Sequence, residues 1–509
     1  MTVDDAIDRL GELMIVGVPG TNLDAATEAV LRRLRPAGAI LFSENFRGAE
    51  EAAHFTRALH ELLGTPDMPA LLAVDEEGGP VSRLSHLWEM PPSARAVAAS
   101  GGPPLVRDLA ARTARRLLAL GFNLGFAPCA DIHSDPANPV IGVRSFGTTP
   151  SQVTACVRAS IEGFQSVGVI PVAKHFPGHG DTSLDSHVAL PRVSADERTL
   201  ARRDLKPFEG AIQAGIPVVM TGHLLVPALD PDPTRTAMVS PAIVDGLLRE
   251  RMGFSGVVVT DALEMAGATL LGSHGDVAVR AIEAGVDLLL YSKLTPGPDE
   301  AQAALSDALR AGRVSPERIE ASLERVARLR AGGAARPPRW SAEAEQGARQ
   351  AIATEELTRI SEGAIRLLRQ GAGGLPLRSP IDVLEIDRGK ERAPLVGLLR
   401  AAGLEAFEQQ LAPDTWPTRI AGSAVLTVAT QGTLPPASAE IALAWLRRFP
   451  ETVTAALLNP HACDGWPEVR TLIATFDNGP ASRRALVRLL TAVHPDEPTT
   501  RRGARKPAA

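Results

Sequence analysis

Short apolar runs recur through the first two thirds of the chain, and each is followed by a polar or turn-forming cluster and then by a helical pattern. The eight runs are Met14–Val18, Ala37–Phe42, Leu71–Val74, Asn123–Pro128, Pro171–Ala173, Pro217–Met220, Val257–Val259 and Asp287–Leu290. Continuous apolar strands are typical of sheets buried on both faces, and strands that alternate with helices form parallel sheets. The pattern therefore predicts an α/β fold with an N-terminal (β/α)8 barrel, with a doubly wound sheet as the alternative.

Helical patterns fill the spaces between these runs, and several of them end at a glycine, as helix C-termini often do. The expected helices include Asp24–Arg35, Val106–Leu120, Pro150–Ser166, Ala201–Ala214 and Val277–Ala284. Each lies between two expected strands, which supports the βα alternation of a barrel.

A break rich in glycine and proline at residues 332–339 follows a long helical stretch and indicates a domain boundary. We expect the barrel over residues 1–335, a linker over 336–348, a smaller α/β sandwich over 349–495 and a disordered tail over 496–509. Four apolar runs predict buried strands in the second domain, namely Ile381–Ile386, Ala424–Ala429, Thr452–Leu458 and Leu472–Phe476.

Composition excludes several classes of protein. The 509 residues carry 53 lysines and arginines against 59 acidic residues, and this balance argues against a nucleic-acid partner. The three cysteines, Cys129, Cys156 and Cys463, are widely spaced and predict neither a disulfide framework nor a thiolate zinc site. The acidic N-terminus and the lack of a long apolar run predict a cytoplasmic protein without a membrane partner. The sequence carries no indication of an oligomeric state.

Polar residues directly follow several of the expected strands, where barrel enzymes collect their active sites. They are Asp75, Glu76, Glu77, Asp131, Lys174, His175, His223 and Asp261. Lys174 stands out because the chain has only five lysines among its 53 basic residues. For any one of these residues, the alternative to a functional role is a structural one, as a strand-end cap or a salt-bridge partner. For the set as a whole, we expect an active site.

The segment Lys174–His187 holds three histidines and two aspartates. Its glycines and proline exclude the helix that would align His175 and His179 as zinc ligands, so no metal is expected, and a metal-dependent hydrolase stays as an alternative. Asp185 and His187 are two positions apart, and on an extended loop a carboxylate so placed can orient an imidazole for acid/base work.

Asp261 is the best candidate for a nucleophile. It follows the apolar run Val257–Val259, and the residues after it offer no lysine or arginine as a salt-bridge partner. Glu264 is the second candidate for the nucleophile. Its alternative role is structural, because an acidic residue in the first turn of a helix interacts favourably with the helix dipole.

Lys174–His187 and Val259–Met265 closely resemble the two signatures of glycoside hydrolase family 3, in its bacterial β-N-acetylglucosaminidase branch. The resemblance covers residues 1–335 strongly and residues 350–495 more weakly. It implies that His187, supported by Asp185, is the acid/base and that Asp261 is the nucleophile. It also implies that no cofactor is required and that the C-terminal domain does not supply the acid.

The family's sugar-contacting positions also have counterparts in this chain. They are Asp75, Arg83, Arg144, Lys174 and His175. Two departures from the family pattern are visible. Pro80 stands where the family often has arginine and Val143 where it often has aspartate, which puts the ion pairing around Arg83 and Arg144 in question.

Together these residues predict a retaining, exo-acting β-N-acetylglucosaminidase that removes terminal N-acetylglucosamine from β-linked oligosaccharides such as cell-wall muropeptide or chitin fragments. The expected partner is a small carbohydrate. A neutral imidazole does not repel an incoming anion as a carboxylate would, so a phosphorylase that uses inorganic phosphate is the close alternative. A non-catalytic sugar-binding protein is a further alternative, and the presence of both Asp261 and His187 argues against it.

Overall fold

The computed structural model describes residues 1–182, 190–333, 340–371, 375–386, 394–409 and 422–491. These residues divide into two compact units, one with Met1–Ala364 and Gln431–Thr433 and one with the other described residues from Ile365 onward. The expected acid/base pair, Asp185 and His187, and the expected tail at 496–509 lie outside the described residues. Within the described ranges, no helix combines the length and the apolar character needed to cross a bilayer.

Ten strands of the described chain belong to the first unit. They are β1 (Met14–Gly17), β2 (Gly38–Ile40), β3 (Leu71–Val74), β4 (Glu76–Gly78), β5 (Val81–Ser82), β6 (Leu124–Gly125), β7 (Ile170–Phe176), β8 (Val218–Thr221), β9 (Val257–Thr260) and β10 (Leu289–Tyr291). Eight form one parallel sheet in the order β10-β1-β2-β3-β6-β7-β8-β9, and a bridge between Val259 and Leu288 joins its two ends. Because the strand order follows the chain without reversal, the predicted barrel is confirmed and the doubly wound sheet is excluded for this unit.

Helices surround the barrel. They are α1 (Val3–Asp8), α2 (Ala25–Leu34), α3 (Ala49–Leu63), α4 (Ala94–Ala119), α5 (Pro150–Gln165), α6 (Glu197–Arg202), α7 (Lys206–Gln213), α8 (Ala266–Thr269), α9 (His274–Glu283), α10 (Gly297–Arg310), α11 (Pro316–Gly333), α12 (Ala342–Gln350) and α13 (Thr354–Ala364). A further helical segment spans Ala242–Arg251. The expected helix Ala201–Ala214 is two helices, α6 and α7. The expected helix Val106–Leu120 is the last part of α4. Helix α4 kinks at Gly102, directly before two prolines, because proline fits the first turn of a helix but not its interior.

Aliphatic side chains from the strands fill the barrel interior. Its core includes Ile15, Ile40, Leu71, Leu124, Phe126, Val172, Met220, Val257, Val259 and Leu290. All residues of β1, β3, β7, β8 and β9 are buried, which explains why most of their residues are apolar. Gly38 is required at its position, since a Cβ atom there would lie 1.9 Å from the carbonyl oxygen of Leu71.

Helices α12 and α13 belong to the first unit, and two arginines of α4 hold them. Arg116 is 1% exposed and donates hydrogen bonds to the carbonyl oxygens of Glu89, Ala348, Arg349 and Ile352. Arg112 donates two hydrogen bonds to the carboxylate of Glu356. The units therefore divide after Ala364, whereas the sequence placed the start of the second domain at residue 349. The difference arises because distant side chains bind this segment, and no local pattern records that.

The second unit is a smaller α/β sandwich, as expected. Its elements are β11 (Arg366–Arg369), β12 (Ile381–Ile386), β13 (Ala406–Glu408), β14 (Ser423–Val428), β15 (Val453–Ala456), β16 (Thr471–Ala474), α14 (Leu395–Ala401), α15 (Pro436–Arg448) and α16 (Pro480–Thr491). The sheet order is β11-β16-β15-β14-β12-β13, and only β11 is antiparallel to its neighbour. The four expected strands are its buried centre. The sequence missed β11 and β13 because β11 is mostly exposed and β13 has only three residues.

Replacing Arg116 should destabilise the barrel unit. Arg116→Met leaves four carbonyl oxygens without this donor, two of them in buried hydrogen bonds, so we expect a loss of about 2–3 kcal/mol in the free energy of unfolding. Arg107→Met on the same helix is the matched control, because Arg107 is exposed and its ion pair with Glu162 is long, at 3.4 Å. Urea denaturation of both variants is the measurement. Equal stability of the two variants would contradict the role given to Arg116.

Candidate active site

The carboxyl ends of β3, β6, β7, β8 and β9 bring the predicted polar residues to one rim of the barrel. Asp75 follows β3 and Glu77 lies in the short hairpin strand β4. Lys174 and His175 are part of β7, and Asp261 directly follows β9. These strands are consecutive neighbours in the sheet, so residues far apart in sequence meet at the same end of the barrel.

A buried ammonium group links two of the carboxylates. Nζ of Lys174 lies 2.9 Å from Oδ1 of Asp75 and 2.6 Å from Oε1 of Glu77, and its side chain is 3% exposed. Burial alone would lower the pKa of Lys174, but the two carboxylates outweigh it and raise the pKa. Lys174 is therefore charged, and it holds β7 against the segment that follows β3.

Arg144 completes this ion network. It donates two hydrogen bonds of 2.9 Å to the carboxylate of Glu77. Burial opposes ionisation of Glu77, yet the charges of Arg144 and Lys174 hold its pKa well below the usual range. Because Val143 stands where the family often has aspartate, the sequence put the ion pairing of Arg144 in question. In the structure, Glu77 is the ion-pair partner of Arg144.

Arg83 is placed more loosely. Its Nη2 lies 3.7 Å from Oδ2 of Asp75, and its guanidinium carbon lies 5.6 Å from the centre of the Phe42 ring. The hairpin that presents it is fixed by Glu76, whose Oε2 accepts hydrogen bonds from Oγ of Ser82 and the backbone N–H of Leu84. With a side chain 37% exposed, Arg83 is the most accessible of the three cations in this cluster.

Asp131 organises the histidine side of the rim and is 0% exposed. Its Oδ2 accepts hydrogen bonds from Nδ1 of His175 at 2.7 Å, the backbone N–H of His175 at 3.1 Å and Sγ of Cys129 at 3.2 Å. Its Oδ1 accepts one from the backbone N–H of His179 at 2.6 Å. Nδ1 of His175 therefore carries the proton, and Nε2 is left as an acceptor 3.4 Å from Nη2 of Arg144.

Asp261 differs from the other carboxylates of the rim. Its Oδ1 accepts one hydrogen bond, of 2.8 Å, from the backbone N–H of Ala262. Among the described residues it forms no ion pair with a lysine or arginine. Burial raises its pKa, but the nearby His175 and His223 contribute to a net lowering. Asp261 is thus ionised and little engaged, as a nucleophile must be.

Glu264, the second candidate for the nucleophile, has a structural role. Its two carboxylate oxygens accept hydrogen bonds of 2.9 Å from the backbone N–H groups of Ser292 and Lys293. These bonds hold the turn after β10 beside the end of β9. His223 supports the same region, because its Nε2 lies 2.9 Å from the carbonyl oxygen of Ala262, within hydrogen-bond distance.

Of the predicted site residues, the structure brings together Asp75, Arg83, Arg144, Lys174 and His175, while Asp185 and His187 lie outside the described residues. Sequence reasoning gave no role to Glu77 beyond its place after a strand, or to Asp131. The only signal for either was its position at a strand end. His179 does not join a helical zinc pair: its Nδ1 lies 2.7 Å from Oγ1 of Thr182, and burial lowers its pKa to about 4.

Comparison with known proteins identifies the family. Residues 3–329 match the domain described as "Glycosyl hydrolase family 3 N terminal domain". The chain therefore belongs to glycoside hydrolase family 3, as the segments Lys174–His187 and Val259–Met265 predicted, and it is a glycoside hydrolase with a carbohydrate substrate.

Similar proteins include a β-N-acetylglucosaminidase of this family from Paenibacillus, whose structure has a TM-score of 0.83 and 32% identity and covers 95% of this chain and 96% of its own. β-Hexosaminidase A of Pseudoalteromonas piscicida is 35% identical over 334 residues, which are 61% of this chain and 56% of that protein. The β-hexosaminidase of Methylococcus capsulatus is 36% identical over 300 residues, which are 58% of this chain and 86% of that protein. The chain thus spans little more than half the length of the Pseudoalteromonas relative.

Glu76 generates a prediction about pH. Its residue exposure is 1%, its Oε1 has no hydrogen-bond partner among the described residues, and burial raises its pKa from 4.5 to about 7. The unfolded chain thus releases this proton at lower pH than the folded chain, so the stability contributed by Glu76 falls as pH rises between these values.

We therefore expect Glu76→Gln to be more stable than the parent above about pH 7, by about 1–3 kcal/mol, with the difference vanishing near pH 4.5. Urea denaturation at several pH values is the measurement. Glu61→Gln, on the exposed face of α3, is the matched control and should show no such trend. A stability difference that is the same at every pH would show that Glu76 does not bind a proton on folding.

Proposed function

We propose that the chain is a retaining, exo-acting β-N-acetylglucosaminidase that works through a covalent intermediate on Asp261. One observation carries the assignment of the nucleophile. Among the described rim carboxylates, Asp75 and Glu77 are neutralised by cations, and Asp131 is enclosed by four donors. From the described residues, Asp261 accepts one backbone hydrogen bond, which leaves its second oxygen available for attack.

The proposed reaction is a double displacement. Asp261 attacks the anomeric carbon while His187, oriented by Asp185, donates a proton to the departing glycosidic oxygen. A glycosyl ester of Asp261 forms, and the leaving alcohol carries the proton away. His187, now neutral, removes a proton from water, which attacks the same carbon and releases Asp261. Two inversions give net retention at the anomeric carbon.

The ion network supports the binding of sugar hydroxyls. Lys174 and Arg144 are held in place by Glu77, so the donors that they present cost little entropy when a ligand arrives. Asp75 offers carboxylate oxygens and is 18% exposed. Arg83 and His175 add a donor and an acceptor. Charged groups fixed in advance favour a ligand dense in hydroxyl groups.

The choice of sugar rests on relatives. Proteins about 35% identical to this chain carry the name β-hexosaminidase, and the Paenibacillus structure is titled a β-N-acetylglucosaminidase. We therefore propose terminal N-acetylglucosamine as the residue removed, and muropeptide or chitin fragments as its source. Hydrolysis is the proposed outcome, with transfer to phosphate as the result that an experiment must exclude.

Removal of the nucleophile should abolish turnover without unfolding the protein. Asp261→Gly should reduce hydrolysis of an aryl N-acetyl-β-glucosaminide by several orders of magnitude. Added azide, which is small enough to occupy the space of the missing carboxylate, should restore release of the aryl group and give the α-glycosyl azide. Product analysis by NMR is the measurement.

Glu264→Ala is the matched control for that experiment, since Glu264 lies three residues away and binds only backbone N–H groups of the described chain. We expect it to keep most of its activity and to gain nothing from azide. A 5-fluoro substrate analogue should label the peptide that contains Asp261. Labelling of Glu264, or no labelling because the substrate's own acetamido oxygen attacks, would overturn the assignment.

Substrate choice forms a separate prediction. The parent protein should cleave an aryl N-acetyl-β-glucosaminide at least about tenfold faster than the matching β-glucoside, because a site that binds the acetamido group leaves polar groups unpaired when the group is missing. Running both substrates with and without phosphate identifies the acceptor. Free N-acetylglucosamine in both buffers is expected, whereas a glycosyl phosphate would identify a phosphorylase and overturn hydrolysis.

A further inference from the structure

Asp131 is a buried carboxylate whose charge no lysine or arginine of the described chain neutralises. Lys174 is bound by Asp75 and Glu77, and the carboxylate of Glu77 also occupies Arg144. The donors to Asp131 among the described residues are a thiol, an imidazole and two backbone N–H groups. Burial opposes its ionisation, but the imidazoles of His175 and His179 and these hydrogen bonds lower its pKa, so it stays charged.

The donors around Asp131 are themselves metal-ligand types. Sγ of Cys129, a carboxylate oxygen of Asp131 and a ring nitrogen of His175 all lie within 4.8 Å of one another. A parallel bridge between Cys129 and Lys174 brings the two strand ends together, so backbone pairing sets this spacing. Thiolate, imidazole and carboxylate are the three side-chain ligands of zinc, and catalytic and regulatory sites often use three of them.

We propose that Cys129, Asp131 and His175 form a binding site for a thiophilic divalent cation of the Zn²⁺ class, and that occupation of this site inhibits the enzyme. On binding, the thiol of Cys129 releases one proton, and the proton on Nδ1 of His175 moves to Nε2. A thiolate and a carboxylate then balance the two charges of the cation, which pairs Asp131 with a full positive charge.

The movement of the histidine proton explains the inhibition. Without the cation, Nε2 of His175 is an acceptor 3.4 Å from Nη2 of Arg144. With the cation on Nδ1, Nε2 carries a hydrogen, so two donors face each other across this distance. Arg144 and His175 then no longer present the arrangement proposed for sugar binding. Cation binding does not rest on the proposed function, whereas its inhibitory effect does.

A cavity with room of about 50 Å³ borders Cys129, Glu76, Glu77 and Arg144, and its other lining residues are mostly apolar. Asp131 and His175 do not line it, so the proposed site rests on the spacing of its three ligand atoms and not on this cavity. The three ligand residues are 2%, 0% and 6% exposed, so the site is protected from bulk water once it is filled.

Cobalt is the probe for binding, because a cobalt–thiolate bond produces a charge-transfer absorption band that other ligands do not. We expect Co²⁺ added to the full chain to produce this band and to saturate at one equivalent. Cys129→Ser keeps the side-chain volume and should lose the band. Cys156→Ala removes the other buried cysteine of the barrel unit and should keep it. A band that persists in Cys129→Ser, or no band in the parent protein, overturns the proposal.

Zinc inhibition is the second measurement, with an aryl N-acetyl-β-glucosaminide as substrate. Zn²⁺ should raise KM in the parent and in Cys156→Ala, and Cys129→Ser should need about 10–100 times more zinc for the same effect. Cys129 takes no part in the proposed chemistry, so the variant should turn over substrate in the absence of zinc. Equal inhibition of all three proteins would place the zinc elsewhere, for example at Asp185 and His187, and contradict the proposal. If the substrate is not cleaved at all, the proposed function fails while the cobalt experiment still tests the cation site.

Discussion

The ammonium group of Lys174 is the contact on which the rim of the barrel depends. It is buried at the end of β7, and it is stable there because Asp75 and Glu77 both lie within 2.9 Å of it. A buried charge without partners is costly, so the pairing ties the segment after β3 to β7 across the intervening β6. Arg144 depends on the same Glu77, so loss of Lys174 would change the charge balance of the whole cluster rather than one contact.

The rim separates its carboxylates by environment. Asp75 and Glu77 are matched by cations and hold Lys174 and Arg144 in position. Within the described residues, Asp131 has four donors and no lysine or arginine partner, and Asp261 has a single backbone donor. The same functional group therefore has three roles in one small volume. Their neighbours decide which carboxylate pairs with cations, which orients a histidine and which has the fewest described partners.

Several site residues could be found from the sequence because polar residues that end buried strands have few other places to lie. Lys174, His175 and Asp261 belong to this group. All eight barrel strands could also be predicted from the sequence. Glu77 and Asp131 escaped assignment because their partners, Arg144 and His175, lie 67 and 44 residues further along the chain. The attachment of α12 to Arg116 escaped for the same reason, since 232 residues separate Ala348 from that side chain.

The sequence by itself determined the barrel, the family and the residues that reach its rim, because hydrophobic periodicity and strand-end chemistry are local properties that need no partner to be recognised. Only the tertiary structure decided which charges meet. Glu77 paired with Arg144, Glu264 bound the backbone after β10, and Cys129 came within reach of Asp131 and His175. Ion pairs and ligand clusters depend on distances of a few ångströms between distant segments, and those distances exist only once the strands have paired.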